Sequence, residues 1–580
     1  MSARRGILIV ITLIILAIMV SAAGSLLLLA GGSAVPSVPS DSTLYLRIRA
    51  PFDEVEPLNL FNQFGTGTAQ TLRTTIDTIR KAKVDRRVKT LVIQPEAAGA
   101  LWGQLQEVRA AVLDFRKSGK PVTAYMEFGA AQEYYVATAA DRIVMMPAGS
   151  LNVTGMASYE LFFRGALDKI GAYPDLLHIG EYKTFSNTFT EKGFTPAHRE
   201  MTRSLNHDWY DQLIKGIAEG RHRPEAEIIK AIDNGPYLPE AAKAAGLIDV
   251  VGYEDQIDDT VPVRGTRRLE GEAYSRVPLS SLGLGDGPRI AVLYATGTIA
   301  SGPSSFDSPT GAVLGSDTFV QWIRKVRVDP GIRAIVLRID SPGGSAIASE
   351  VIWRELMLTR TIKPLIVSMG NVAASGGYYI AVPAETIVAE PGTITGSIGV
   401  VTGKFVVKGT LEKLGITTDA VSEGRFAELE SPFTPFTKDQ RARMEEQLHA
   451  TYELFLSRVA DGRKTTAERI DAVGQGRVWT GRQALQLKLV DELGGLETAI
   501  QIAKQRAKLD LTKDVQLVVY PPKRSVYELL ASPFGSSIEA SLGLSLLRRP
   551  EARVFDAMTS TLRLFRRGEA LMIMPNVFWN

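Results

Sequence analysis

One serine lies where a nucleophile could be activated. Ser375 stands among small residues in the segment 373–377 (AASGG), directly after the apolar run 365–369 (LIVSM). A serine at the first turn of a helix lies at the positive end of the helix dipole, and the N–H of Gly376 faces the same space as the hydroxyl. A nucleophile beside a free N–H is the arrangement that acyl transfer requires. The alternative is that Ser375 only caps the helix.

A second turn of small residues has the same kind of setting. The segment 340–344 (DSPGG) follows the apolar run 334–339 (AIVLRI). Pro342 fixes its own φ, and Gly343 and Gly344 let the backbone come close to a ligand. Free N–H groups at such a turn, before a helix, would point into a cleft. A plain tight turn is the alternative, and a phosphate loop is disfavoured because the GK[ST] ending is missing.

A serine nucleophile needs a base, and the histidines offer little. The five histidines are His178, His198, His207, His222 and His449. None of them follows a strand of the second half of the chain, and most fall in charged, helical patterns. His178 is the rival base, since it directly precedes the next motif.

Lys183, in the segment 180–184 (GEYKT), is the stronger candidate for the base. A lysine can act as a general base only where burial lowers its pKa towards about 7–8. The interface of two packed domains offers such burial. A solvated surface charge is the alternative for this lysine.

The chain contains an internal repeat. Comparison of its two copies favours a functional role for Ser375 and Lys183 over the alternatives. Residues 134–147 (YYVATAADRIVMMP) and 378–391 (YYIAVPAETIVAEP) align at an offset of 244 residues. At this offset the segment 375–377 (SGG) corresponds to 131–133 (AQE), and Lys183 corresponds to Ala427. The first copy therefore lacks the serine and has the lysine, and the second copy is the reverse. This complementary loss predicts that Ser375 and Lys183 form one site between the copies.

Each copy alternates short apolar strands with amphipathic helices. In the second copy we predict strands at 289–294, 334–339, 365–369 and 386–389, and helices at 317–327, 346–361 and from 376. This alternation favours an α/β fold with a buried, mostly parallel sheet. Both small-residue turns then lie where strands end, the usual place for a ligand in such a sheet.

Composition narrows the possible chemistry. The chain has 580 residues, a formal net charge of +3 and no cysteine. The absence of cysteine excludes disulfides, thiol catalysis and Cys-type metal sites. The near balance of charge gives no reason to expect a nucleic-acid partner. We expect neither a metal nor another cofactor.

The N-terminus predicts a membrane anchor. Arg4 and Arg5 precede the segment 6–30, which carries no charge. A helix that spans a bilayer needs about 20 apolar residues, whereas the core of a signal peptide needs only about 7–15. The arginines should stay in the cytoplasm, which sends the rest of the chain across the membrane. A long cleaved signal is the alternative.

These features together divide the chain into six parts. The predicted parts are 1–32, a cytoplasmic stub and transmembrane anchor; 33–43, a tether; 44–258, the first repeat; 259–287, a linker; 288–505, the second repeat; and 506–580, a C-terminal extension of unknown role. The end of that extension mixes Arg-rich and apolar segments, such as LRLFRRG and LMIMP. A membrane-surface helix, packing and disorder all remain open for it.

The tandem repeat resembles a known family. The DSPGG, AASGGYY, TGSIGV (395–400) and GEYK segments, in two tandem copies, are similar to those of the long form of signal peptide peptidase A. That family consists of membrane-anchored Ser/Lys proteases with a fold related to the Clp protease and crotonase. The resemblance implies Ser375 as nucleophile, Lys183 as general base, and the N–H groups of Gly376 and Gly344 as the oxyanion hole.

The resemblance also implies a cellular role. It implies degradation of signal peptides left in the inner membrane after preprotein cleavage, by a homotetramer whose catalytic domain lies on the periplasmic side. Two other functions stay open at this point. One is a crotonase-like acyl-CoA enzyme, in which the paired N–H groups hold a thioester enolate, and the other is a non-catalytic membrane scaffold.

Overall fold

The computed structural model describes residues 15–16, 19, 36–55, 70–97, 99–257, 265–305, 312–522, 569–574 and 578–579. Nearly all of the predicted anchor lies outside the described residues, as do residues 259–264 of the predicted linker and 523–568 of the C-terminal extension. Among the helices in the described ranges, none is both long enough and apolar enough to cross a bilayer.

Strands and helices alternate along both halves of the chain, as predicted. The strands of the first half are β1 Ser42–Arg49, β2 Val88–Glu96, β3 Val122–Ala130, β4 Arg142–Asn152, β5 Ser158–Tyr159, β6 Tyr173–Ile179, β7 Val250–Val251 and β8 Arg267–Glu270. Its helices are Leu72–Val84, Trp102–Arg116, Ala131–Ala137, Arg164–Ile170, Asn187–Thr190, Pro196–Arg221, Glu225–Asp233, Pro239–Ala244 and Gly271–Ser275, with 3₁₀ turns at Glu254–Gln256 and Leu279–Leu282.

The second half has the same kind of succession. Its strands are β9 Arg289–Thr296, β10 Thr298–Ala300, β11 Val313–Gly315, β12 Ile332–Ser341, β13 Gly343–Ser345, β14 Leu365–Ala374, β15 Thr386–Ala389, β16 Ile394–Gly396, β17 Val400–Val406, β18 Val478–Thr480, β19 Glu492–Leu493, β20 Gln516–Tyr520, β21 Leu571–Ile573 and β22 Phe578–Trp579. Its helices are Ser316–Val328, Ala346–Arg360, Gly376–Ala381, Lys408–Lys413, Lys438–Arg463, Ala467–Val473, Gly481–Gln486 and Leu496–Arg506.

Two mostly parallel sheets share one strand order. The first sheet runs β7-β4-β3-β2-β1-β8, and the second contains the matching path β19-β15-β14-β12-β9-β20. The neighbours along both paths are parallel. The predicted α/β class with a parallel sheet is confirmed, and the internal repeat of the sequence appears as a repeated topology.

The strands are buried on both faces, which explains why they read as continuous apolar runs. On β12, the side chains of Ile335 and Leu337 belong to one apolar cluster, and those of Ala334 and Val336 belong to another. Because successive side chains of a strand point to opposite faces, each strand contributes to two cores, one on either side of the sheet.

Two segments beyond the predicted repeat boundaries complete the sheets. Strand β8, which we expected in a linker, pairs with β1, and Tyr274 in the short helix after it is fully buried. Strand β20, which we expected in the C-terminal extension, pairs with β9 in the same way. Strand β8 was not predicted because its sequence (RRLE) is polar. An edge strand pairs with one neighbouring strand only, so it does not need the apolar sequence of a central strand.

A third sheet joins the two halves. Its order is β11-β10-β13-β21-β17-β6, and β6 of the first half runs antiparallel to β17 of the second. A buried ion cluster adds a second joint: the guanidinium of Arg338 lies 2.7 Å from Glu54 and 2.6 Å from Glu107. Both carboxylates belong to the first half, so the cluster holds the halves in one relative position.

Candidate active site

Ser375 lies on a sharp turn between β14 and the helix Gly376–Ala381. Its backbone has φ 55° and ψ −113°, a conformation that costs energy for a residue with a side chain and is typical of functional turns. Its N–H donates to the carbonyl of Gly396 at 2.8 Å. The hydroxyl makes no capping hydrogen bond with the helix, so Ser375 is not the simple N-cap of the alternative interpretation.

Lys183 reaches this serine from the other half of the same chain. Its Nζ lies 2.8 Å from the Oγ of Ser375. Both side chains are fully buried. The two residues that the repeat comparison singled out are thus in hydrogen-bond contact within one chain.

The surroundings of Lys183 disfavour its charged form. Burial lowers the pKa of the Lys183 ammonium well below its ordinary value. Among the described residues, no carboxylate forms an ion pair with Nζ that would offset this effect. A neutral amine beside a serine hydroxyl can accept its proton.

Ser397 is a third member of the site, which the sequence analysis did not assign. The Nζ of Lys183 lies 3.0 Å from both the carbonyl oxygen and the Oγ of Ser397. Ser397 has φ 52°, a left-handed conformation rare for serine. Its segment, 395–400 (TGSIGV), was noted as a motif, but nothing in the sequence indicated which atoms it would present.

The loop that carries Lys183 is held by the second half of the chain. At Gly180, with φ 104°, a Cβ would lie 2.3 Å from the carbonyl carbon of Gln475, so only glycine allows the two backbones to meet. The N–H of Tyr182 donates to the carbonyl of Gln475 at 2.8 Å. At Gly476 a Cβ would lie 2.5 Å from the Cα of Lys183. Two glycines therefore allow the close docking that buries the lysine.

The glycine turn lies against the serine turn. A Cβ on Gly376 would lie 3.2 Å from the amide nitrogen of Gly344, which shows how closely the two backbones approach. The N–H of Gly343 is already used, since it donates to the Oγ of Ser341 at 3.1 Å. Gly344 and Gly376 are therefore the glycines of the two turns whose backbone nitrogens lie near each other beside Ser375.

The histidines take no part in these contacts. The ring of His178 is exposed, and its Nδ1 lies 3.1 Å from the carbonyl oxygen of Gly180. His198 is buried with its Nε2 2.8 Å from Glu160. In the described part of the chain, no group of three or more His, Asp or Glu side chains could hold a metal ion.

Comparison with known proteins identifies a peptidase family. The sequence profile described as peptidase family S49 matches residues 114–261 and 358–510, once in each half. The chain is 34% identical over 471 residues to "Serine protease SPPA, chloroplastic" of Arabidopsis thaliana, covering 79% of this chain and 69% of that protein.

Two bacterial relatives are similar over comparable lengths. "Protease 4" of Salmonella typhi is 34% identical over 80% of this chain and 76% of its own length. "Protease 4" of Haemophilus influenzae is 32% identical over 74% of this chain and 71% of its own length. These matches favour a peptidase over the acyl-CoA enzyme and the non-catalytic scaffold. The chain belongs to peptidase family S49, as a serine-type endopeptidase similar to the long, tandem form of signal peptide peptidase A.

Proposed function

We propose that the protein cleaves peptides with a Ser375/Lys183 dyad. The observation that carries this proposal is the 2.8 Å contact between Nζ and Oγ in a fully buried setting. A neutral amine has two N–H donors and one lone pair. The carbonyl and hydroxyl oxygens of Ser397, each 3.0 Å away, can accept both N–H bonds. The lone pair is then left to face the hydroxyl of Ser375.

The reaction follows from this orientation. Lys183 takes the proton from Ser375, and Oγ attacks the peptide carbonyl carbon. The N–H groups of Gly376 and Gly344 donate to the oxyanion, and the loss of one such donor typically raises the barrier by about 2.7–4 kcal/mol. Lys183 then protonates the leaving amine, and a water molecule releases the acyl group from Ser375.

The substrates we propose are apolar signal peptides that remain in the membrane after preprotein cleavage. The resemblance to signal peptide peptidase A supports this choice, and so does the uncharged segment 6–30. Such peptides would bind as an added strand. The protein would be a single-pass inner-membrane homotetramer whose Clp/crotonase-like repeats lie on the periplasmic side. In it, the first repeat (44–258) supplies the lysine and the second (288–505) the serine.

Hydrolysis of a defined peptide tests this function. The purified full chain in detergent is incubated with a peptide that has the sequence of an apolar signal-peptide core, and with a polar peptide of the same length. We expect cleavage of the apolar peptide by the parent and none by Ser375→Ala. Equal cleavage by both proteins, or by neither, would contradict the proposal.

A further inference from the structure

A short strand near the C-terminus lies between the two edges that flank the active site. Strand β21 runs antiparallel to β13, the strand of the glycine turn. On its other side it pairs with β17, which begins just after Ser397. Without β21, the strands β13 and β17 would each present a free edge to the gap over Ser375. An extended peptide binds in such a gap by adding a strand.

The hydrogen bonds fix the register of β21 against the glycine turn. The N–H of Met574 donates to the carbonyl of Pro342 at 2.9 Å, and the N–H of Ala346 donates to the carbonyl of Ala570 at 3.2 Å. In an antiparallel ladder, hydrogen-bonded pairs alternate with non-bonded ones. Gly344 and Met572, which are partners between these two bonds, therefore form a hydrogen-bonded pair.

The carbonyl of Met572 faces the proposed oxyanion hole. The point that a Cβ would take on Gly343 lies 1.9 Å from the carbonyl oxygen of Met572 and 2.7 Å from the amide nitrogen of Gly376. The oxygen is thus close to the nitrogens of both Gly376 and Gly344. This is where the carbonyl oxygen of a peptide under attack by Ser375 would lie.

The side chains of β21 fill apolar space on both sides. Leu571 and Ile573 belong to a cluster that includes Phe185 and Phe189, from the segment that follows Lys183. Met572 belongs to the core of the second half. These side chains are nearly or fully buried. The strand therefore presents alternating apolar side chains, as an apolar peptide would.

We propose that residues 570–574 are an internal occupant of the substrate groove, held in the register of a substrate, which must leave before a peptide can bind. The inference rests on the proposed function, because it takes the gap over Ser375 as the substrate groove. It makes the C-terminal segment a built-in competitive inhibitor.

Peptide binding in a catalytically inactive background tests the proposal. All proteins carry Ser375→Ala, so that no peptide is cut. The probe is a fluorescein-labelled peptide with the sequence of residues 569–576 (EALMIMPN), and its Kd is measured by fluorescence anisotropy. The full-length protein is compared with a variant that ends at residue 568. We expect the shortened protein to bind at least about tenfold more tightly, which corresponds to about 1.4 kcal/mol.

A point variant tests the same idea at full length. Ile573→Asp places a charge in the apolar cluster, and we expect it to open the groove and tighten probe binding as the deletion does. Glu569→Gln is the matched control, because the hydrogen bond of Glu569 among the described residues is made by its carbonyl oxygen, which accepts from the Oγ1 of Thr402 at 3.4 Å. It should bind the probe as the full-length parent does.

The outcomes separate this inference from the proposed function. Equal Kd values for the full-length protein, the shortened protein and Ile573→Asp would overturn the inference. The same shortened chain with Ser375 intact is then assayed for hydrolysis of the probe. A difference in binding without any hydrolysis would leave the groove occupant in place and refute the dyad instead.

Discussion

The two halves of the chain share a strand order, but they carry different residues at the turn that holds Ser375 in the second half. In the first half, Glu133 stands where the second half has Gly377. Its carboxylate accepts the N–H of Ala97 at 2.9 Å and that of Ala130 at 3.0 Å. Glu133 is buried, so a carboxylate is held among backbone N–H groups at this turn of the first half. The first half thus has a hydrogen-bonded carboxylate where the second half has a glycine next to the serine turn.

The turn that carries the base shows the reverse difference. Gly180 and Gly424 correspond in the repeat and have nearly the same φ, 104° and 100°. A Cβ on Gly180 would meet the backbone of Gln475, whereas a Cβ on Gly424 would meet no atom of the described residues within 4 Å. The turn of the first half is docked against its neighbour, and that of the second is exposed. Docking, and not the turn itself, is what buries Lys183.

The largest expected effect comes from the serine turn. Ser375→Ala should lower kcat for an apolar peptide by about 10⁶-fold, as removal of a serine nucleophile typically does. Ala131→Ser, made at the corresponding position of the first half, should restore nothing in the Ser375→Ala protein, because the first half has Glu133 in place of Gly377 and the second half has Ala427 in place of the base. Restored hydrolysis in the double variant would break the comparison.

Loss of the docked lysine should have the next largest effect. Lys183→Ala should lower kcat by about 10²–10⁴-fold, the usual contribution of a general base. Lys192→Ala is the matched control, since Lys192 is exposed and its ion pair within the described part of the chain is with Asp168. A rate for Lys183→Ala within twofold of the control, measured on the same peptide, would remove the lysine from the mechanism.

The buried ion cluster between the two halves predicts a loss of stability when its arginine is replaced. Arg338→Met leaves Glu54 and Glu107 buried without their partner, which should lower the free energy of unfolding by about 3–5 kcal/mol. Arg49→Met breaks an exposed pair with Glu96 and should cost about 1 kcal/mol or less. Denaturant titration measures both. Equal losses would show that the buried cluster does not hold the halves together.

The smallest effect is expected at the third member of the site. Ser397→Ala removes one acceptor of the Lys183 amine and should lower kcat up to about tenfold, the value of one hydrogen bond. The parent's rate should rise with pH as Lys183 loses its proton, at a pH well below that of an ordinary lysine, because burial lowers its pKa.

The pH profile of Ser397→Ala shows in which direction the Ser397 hydroxyl shifts the pKa of Lys183. The lost hydroxyl stabilised the ammonium more than the amine, so the rising limb of Ser397→Ala should move to lower pH. A limb that moves to higher pH, or an unchanged kcat, would show that Ser397 does not orient the amine.

The sequence alone indicated the α/β class and four strands of the second half's parallel sheet, β9, β12, β14 and β15, because buried parallel strands are continuous apolar runs. The strand predicted at 386–389 matches β15 in both bounds. Ser375 and Lys183 could be proposed because the repeat supplied an internal comparison at each position. Ser397 could not, since its contact depends on a left-handed backbone that no local motif announces. Strands β8 and β21 were not predicted for a similar reason. Pairing with neighbouring strands, and not a pattern in their own residues, determines that they are strands.

Covalent labelling of Ser375 tests most directly the claim that one site is shared between the halves. The rate of labelling by a fluorophosphonate is measured by mass spectrometry in the parent, in Lys183→Ala and in Lys192→Ala. We predict that the parent and Lys192→Ala are modified at Ser375 at the same rate. Lys183→Ala should be modified at a rate that is lower by about 10²-fold or more. Labelling of Ser375 at one rate in all three proteins, or labelling at another serine, would contradict the account.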